Sequence, residues 1–173
     1  ESGKPYQYVS IRTDITAHKK LRVQGTRERR VLQNVMDTLG EGVYMMDVDG
    51  NCTYLNREAE ALIGWTSAEL LGRNMHDITH LQLPDGSLVA QVDCPVHISM
   101  LANEVYRSES GYFRHKNGTL FPISIVASPM LEGDQVTGLV AAFQDISERK
   151  FFESELLRAK ESAEAASLAK GDF

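Results

Sequence analysis

Cysteine is scarce in this 173-residue chain: Cys52 and Cys94 are the only two. That excludes a disulfide scaffold and an all-cysteine zinc site. Basic charge is also short. Lys and Arg number 18 against 24 Asp and Glu, for a net charge of −6. No cationic surplus exists to neutralise phosphates, so no nucleic-acid partner is expected. No apolar run reaches the length of a bilayer span, and no membrane contact by this segment is expected. The opening ESGKPYQYVS has no basic-then-apolar layout of a signal peptide. Catalytic spacings are missing too: there is no Gly-x-Ser-x-Gly, no glycine-rich phosphate loop and no zinc-ligand pattern. The chain itself is therefore not expected to be an enzyme. Apolar residues at 42% and charged residues at 24% match a soluble globular protein, and the composition reads as cytoplasmic.

What is present begins with an internal repeat. Residues 9–19, VSIRTDITAHK, are echoed by residues 140–150, VAAFQDISERK. In each, a short apolar strand meets Asp-Ile-Thr or Asp-Ile-Ser and turns into a charged, helix-prone stretch. Thr16 and Ser147 are N-cap residue types, able to accept from an exposed amide of the first turn. Both ends of the chain read as cut, the first entering mid-strand and the last stopping within helical sequence, so an excised piece of a longer protein is expected. Residues 17–38 read as a helical linker, with Leu21, Val31, Leu32, Val35 and Met36 at helical spacing.

From Gly40 onward the pattern is mixed. Val43–Asp47 and Cys52–Leu55 read as strands around an Asp49-Gly50 turn. Two short helices come next, Arg57–Ile63 and Ser67–Leu71, each stopped by a glycine. Residues 73–93 show no periodicity. A longer helix is expected over Cys94–Tyr106, with Pro95 in its first turn. Strands are expected over Gly111–His115, Leu120–Ala127 and Gly138–Phe143, with Asn117-Gly118 and Gly133-Asp134 as turns. Hairpin-joined strands pair antiparallel, so five strands with helices between the second and third give an α+β domain. Beyond Ser147, Phe152, Leu156, Ala159, Ala163 and Ala166 recur at alternating four- and three-residue spacings, a heptad seam on an exit helix.

The ordered set of motifs resembles a PAS domain. The segment GEGVYMMDVDGNCTYLNREAEALIGWTSAELLGRN is similar to the first two PAS strands and the helices after them. FRHKNGTLFPISIVASPM resembles the hairpin, and FQDISERK resembles the closing strand with its Asp-Ile-Thr signal-transfer motif. The resemblance implies a five-stranded antiparallel sheet with helices on one face, flanked by signalling helices. It divides the chain into 1–16, the end of an upstream PAS domain; 17–38, the linker; 39–147, the PAS domain; and 148–173, a coiled coil leading to an output domain. LRAKESAEAASLAKGDF resembles the connector before the phospho-acceptor helices of sensor histidine kinases. The implied parent is a dimeric two-component histidine kinase, with a diguanylate cyclase or a ligand-free spacer as alternatives. A membrane anchor elsewhere in that parent is compatible with this segment.

The resemblance also implies a pocket between sheet and helices. Its candidate wall is Tyr44, Met46, Tyr54, Ile63, Trp65, Ile78, His97, Met100, Leu101, Phe113, Phe121, Ile125 and Phe143. Asp145, Ile146 and Ser147, and upstream Asp14, Ile15 and Thr16, are the implied signal-transfer residues. A homodimer through the flanking helices and a small-molecule ligand are the implied partners. The expectation on cofactors is none, with flavin and then heme through His97 as alternatives. Met75 stands where light-sensing LOV domains of the PAS family place their reactive cysteine, and a thioether cannot form the flavin adduct. Phe143 and Ile123 align where LOV domains carry their glutamine and asparagine. No metal site is expected: His76 and His80, flanking Asp77, have a spacing that arises readily by chance.

Overall fold

The computed structural model describes residues 40–80 and 82–171. Asp14, Ile15 and Thr16, and the linker at 17–38, lie outside the described residues. Five strands form one antiparallel sheet: β1 (Gly42–Asp47), β2 (Cys52–Leu55), β3 (Tyr106–Arg114), β4 (Leu120–Glu132) and β5 (Gln135–Asp145). Their order is β2-β1-β5-β4-β3, so the first and last strands lie side by side. Between β2 and β3 come α1 (Arg57–Ile63), α2 (Ser67–Leu70), a π-helical turn (His76–His80), a 3₁₀ turn (Gln91–Asp93) and α3 (Pro95–Leu101). The exit helix α4 spans Ser147–Gly171. The α+β class and the five-stranded antiparallel sheet are as expected from the sequence.

Local chemistry sets the turns. Between β1 and β2, Asp47 Oδ1 accepts from the amides of Asp49 and Asn51 at 3.0 and 2.9 Å, and Gly50 takes a φ of 85° that a side chain would resist. Asn56 caps α1 by accepting from the Ala59 amide at 2.9 Å, and Gly64 closes that helix in the left-handed region. Thr66 and Glu69 form a capping box on α2.

Three elements differ from the sequence-based expectation. The helix expected over Cys94–Tyr106 stops at Leu101, because Asn103 adopts a left-handed φ of 55° and the Glu104 amide turns back to the Ser99 carbonyl. The freed residues extend β3, which begins at Tyr106. The β4–β5 hairpin is longer than expected, pairing out to Glu132 and Gln135 around Gly133. Helix α4 begins at Ser147 itself, whose amide is accepted by Asp145 Oδ1 at 2.7 Å, so the aspartate rather than the serine serves that amide.

The core lies between the sheet's inner face and the short helices. Tyr44, Phe113 and Phe143 are fully buried and mutually tilted, with the Phe113 and Phe143 ring centroids 4.8 Å apart. Ala59, Ile63, Leu70, Ile78 and Met100 cover them from the helical side. Each large apolar side chain buried in this way contributes on the order of 1.5–3 kcal/mol relative to exposure.

Candidate functional site

A small void lies where β1, the π-helical turn and the start of α3 meet. Tyr44 and Met46 reach it from β1, Met75, His76 and His80 from the π-helical turn and the residue before it, and Cys94, Val96 and His97 from around the start of α3. Gly50 and Gln91 complete the wall. Its volume is about 10 Å³, room for roughly one water molecule.

Burial holds Tyr44, His80 and the two nearby thiols in their neutral forms. Tyr44 Oη and His80 Nε2 share a hydrogen bond at 3.3 Å. Burial pushes the Tyr44 hydroxyl well above its ordinary pKa, and the neighbouring thiols of Cys94 and Cys52 push it further. Burial, then the His76 ring beside it, pushes His80 down to about 3, so its imidazole is uncharged at neutral pH. His80 also meets the Phe113 ring edge-on at 4.5 Å between centroids. Burial raises the Cys94 thiol, with the amides of His97 and Val96 opposing it, and burial raises Cys52 likewise. Neither thiol is therefore an activated nucleophile, and His80 is not a base poised near neutral pH.

His76 is buried, and its Nε2 lies 2.8 Å from the Val89 carbonyl. A carbonyl only accepts, so His76 Nε2 carries a proton and donates it to Val89. Among the described residues, His76 Nδ1 and His97 Nδ1 are buried without a hydrogen-bond partner. An unsatisfied buried polar atom costs on the order of 1–3 kcal/mol.

The pocket candidates separate into three groups. Tyr44, Met46 and His97 line the void. Ile63, Ile78, Met100, Phe113, Ile125 and Phe143 are buried core residues away from its wall. The rest lie elsewhere. Leu101 is exposed because α3 ends there and turns it outward. Tyr54 pairs with Met45 on the outer face, since a bulge between Met45 and Met46 lets Cys52 and Leu55 take the inward positions of β2. Trp65 and Phe121 pack at the core's edge, Trp65 beneath the Arg73 guanidinium at 5.1 Å and the Lys116 ammonium at 4.8 Å. Gly50, Gln91 and Val96 carry no sequence signal for the void. Met75, His76, His80 and Cys94 stand out in the sequence for other reasons.

Flavin and heme do not fit these residues as packed. Ligands of that size occupy clefts of roughly 300–1,000 Å³, against about 10 Å³ here. Met75, Ile123 and Phe143 are all buried, so the LOV positions hold apolar contacts. Among the described residues, no three His, Cys, Asp or Glu side chains stand close enough to hold an ion together. A larger open trough, about 200 Å³, lies on the outer sheet face between Arg107, Ser124, Ala142 and Gln144.

At the exit, Ile146 is buried and its amide donates to the Pro122 carbonyl of β4 at 3.0 Å. Lys150 reaches over the Tyr112 ring at 5.2 Å, and Arg149 pairs with Glu109 at 3.3 Å, both on β3. The start of α4 is thus tied to two sheet strands. Phe152, Leu156, Ala159 and Ala163 are exposed along α4; Ala166 falls where its side chain lies outside the described residues.

The family model described as "PAS fold" matches residues 30–146. The chain belongs to the PAS family. Solved PAS structures agree in fold. A PAS domain from Colwellia psychrerythraea overlays with a TM-score of 0.56 at 17% identity, covering 71% of this chain and 98% of that one. The PAS domain of an HTR-like protein from Haloarcula marismortui gives 0.56 at 19%, covering 75% and 99%. Two curated relatives match the chain over part of their length. A probable diguanylate cyclase of Escherichia coli, DgcE, is 25% identical over 87% of this chain and 13% of its own length. Sporulation kinase C of Bacillus subtilis is 28% identical over 73% of this chain and 28% of its length. This PAS chain therefore spans only a small fraction of either relative. No helix among the described residues is long and apolar enough to cross a membrane.

Proposed function

We propose that the chain is a sensory and signal-relay module in a dimeric signalling enzyme of the cytoplasm, with a histidine kinase as output. Residues 39–147 are the sensing domain, 148–173 the coiled coil toward the output, 1–16 the end of a preceding PAS domain and 17–38 the linker between them. One observation carries this reading. The strand β5 runs directly into α4 through Asp145, Ile146 and Ser147, and Ile146 is buried against β4. A change in core packing at β5 therefore reaches the base of the exit helix without an intervening loop. The effect is a population shift: a ligand or partner biases the helix only by its differential affinity for the two packings.

Similarity to the sporulation kinase supports a kinase output. A diguanylate cyclase output is the second reading, favoured by the broader match to the Escherichia coli protein. A ligand-free spacer is the third, favoured by the small void. The test is Asp145→Ala in the full-length parent, read by autophosphorylation from ATP and by cyclic dinucleotide synthesis from GTP. Loss of the Ser147 amide's acceptor is expected to change the parent's basal output at least threefold. Unchanged output overturns the relay reading. The assay that registers activity decides between kinase and cyclase.

A further inference from the structure

Helix α3 shows solvent the side that a surface helix ordinarily buries. Its exposed positions are Pro95, Ile98 and Leu101, at three-residue spacing and so on one side of the helix. All three are apolar. Its two polar side chains face the other way: Ser99 is buried, its hydroxyl donating to the Val96 carbonyl at 2.9 Å, and His97 lines the small void. Val92, in the turn just before the helix, is 73% exposed, and Leu101 at its end is 68% exposed. Val105, shortly after, is exposed as well. One exposed apolar side chain needs no explanation, but a run of them along a helix marks a surface that something covers.

The charge around this face has one sign. No Lys or Arg falls between Arg73 and Arg107, whereas Asp93 and Glu104 bracket the helix and are exposed. Among the described residues neither carboxylate pairs with a cation. Arg107 lines the trough on the outer sheet face, across the sheet from the helices. These charges bear on what the occupant is. A second copy docked by two-fold symmetry would set the same patch against itself, acids facing acids with no cation to answer them. An anionic lipid surface would meet the same repulsion.

We infer that the outer face of α3 docks a basic amphipathic helix of a partner protein. Its apolar stripe would lie on Ile98 and Leu101, with Lys or Arg on its flanks toward Asp93 and Glu104. Helix α3 has seven residues, about 10 Å of rise, so the contact is small and of the transient kind. Cys94, Val96 and His97 of the same segment wall the void, so a helix seated outside bears on the packing against β1 within. The inference goes beyond the relay reading and is tested without an output domain.

The probe is a fluorescent synthetic helix with leucine along one face and lysine on the other, titrated with the purified full chain and followed by anisotropy. A counterpart with glutamate in place of lysine is run in parallel. The lysine helix should bind, more weakly as salt rises, and the glutamate helix should not. Ile98→Ser with Leu101→Ser should weaken binding about tenfold. Asp93→Asn with Glu104→Gln should weaken it severalfold and flatten its salt dependence. Leu131→Ser, an exposed apolar side chain on the β4–β5 hairpin, should leave it unchanged. All of these substitutions are at exposed positions, so the fold is kept, which circular dichroism verifies. Equal binding of both helices, or affinity unaltered in the Ile98 and Leu101 variant, overturns the inference. So does loss of self-association in that variant, which would make the face an interface between copies, or its tighter binding to phosphatidylglycerol vesicles than to the lysine helix by the parent chain. Those results leave the relay reading standing, because that reading is decided by output in Asp145→Ala.

Discussion

Asn56 is 1% exposed, yet both polar atoms of its side chain are bonded. Its Oδ1 accepts from the amides of Val43 and Ala59 at 2.8 and 2.9 Å, and its Nδ2 donates to the Glu41 carbonyl at 2.9 Å. One amide side chain thus caps α1 and continues the edge of β1. Asn56→Ala removes a helix cap worth about 1 kcal/mol and strands the Val43 amide at a further cost of roughly 1–3 kcal/mol. Thermal unfolding of that variant should show a loss of about 2–4 kcal/mol, the sum of those two costs, with Asn56→Asp losing less because the accepting oxygen survives. An effect below about 0.5 kcal/mol, the range of an ordinary surface substitution, would contradict these roles. The sequence marks Asn56 only as a residue before a helix. Its second bond, to a strand thirteen positions back, depends on tertiary placement that no local pattern encodes. The same holds for His76, whose Nε2 donates to the Val89 carbonyl across an aperiodic segment.

Among the elements, the turns are the most legible in the sequence, because their chemistry is local. Asp49-Gly50, Asn117-Gly118 and Gly133 each need a φ that glycine supplies, and all three turns stand where the residues ask for them. The end of α3 is not legible, because a non-glycine residue, Asn103, makes the left-handed stop. The π-helical turn is hidden for a different reason: its five residues are too few to show a period, and Met75, His76 and His80 face inward only once the neighbouring elements enclose them. Thus the void's β1 wall, Tyr44 and Met46, can be read from strand alternation, and little of its helical wall can. Gly138 shows how closely β1 and β5 approach. It sits opposite Asp47 in their ladder, and a Cβ there would overlap the Met46 carbonyl oxygen, a backbone atom that cannot step aside. Gly138→Ala should therefore destabilise the domain by about 1–3 kcal/mol, lowering the melting temperature by several degrees. A melting curve unchanged from the parent chain would show that β1 and β5 can separate at no cost.

At the scale of the whole molecule, the sheet and its hairpins are legible from element order, since hairpins fix antiparallel neighbours and the PAS motifs stand in their usual succession. Assembly is a separate matter. Phe152 and Leu156 on α4 are 60% and 73% exposed, and Phe151 and Leu157 beside them are exposed as well. Four large apolar side chains so close together are costly to leave in water on an otherwise charged helix. Light scattering of the full chain should report twice the 19.3 kDa chain mass, and Phe152→Glu with Leu156→Glu should weaken association at least tenfold. A monomer at tens of micromolar would show that the seam does not pair two chains.

The place of β1 beside β5 has a mechanical consequence. Gly42 opens β1 opposite Phe143, near the end of β5, so the chain enters and leaves these two central strands at neighbouring points at one end of the sheet. Tension applied between the residues before Gly42 and those after Asp145 would load that ladder from its open end. Its bonds would break singly and in order, as a zip opens, instead of resisting together in shear. A small force would thus suffice to separate the two strands, and the hinge of that opening would lie at the far end of the ladder, where Asp47 meets Gly138.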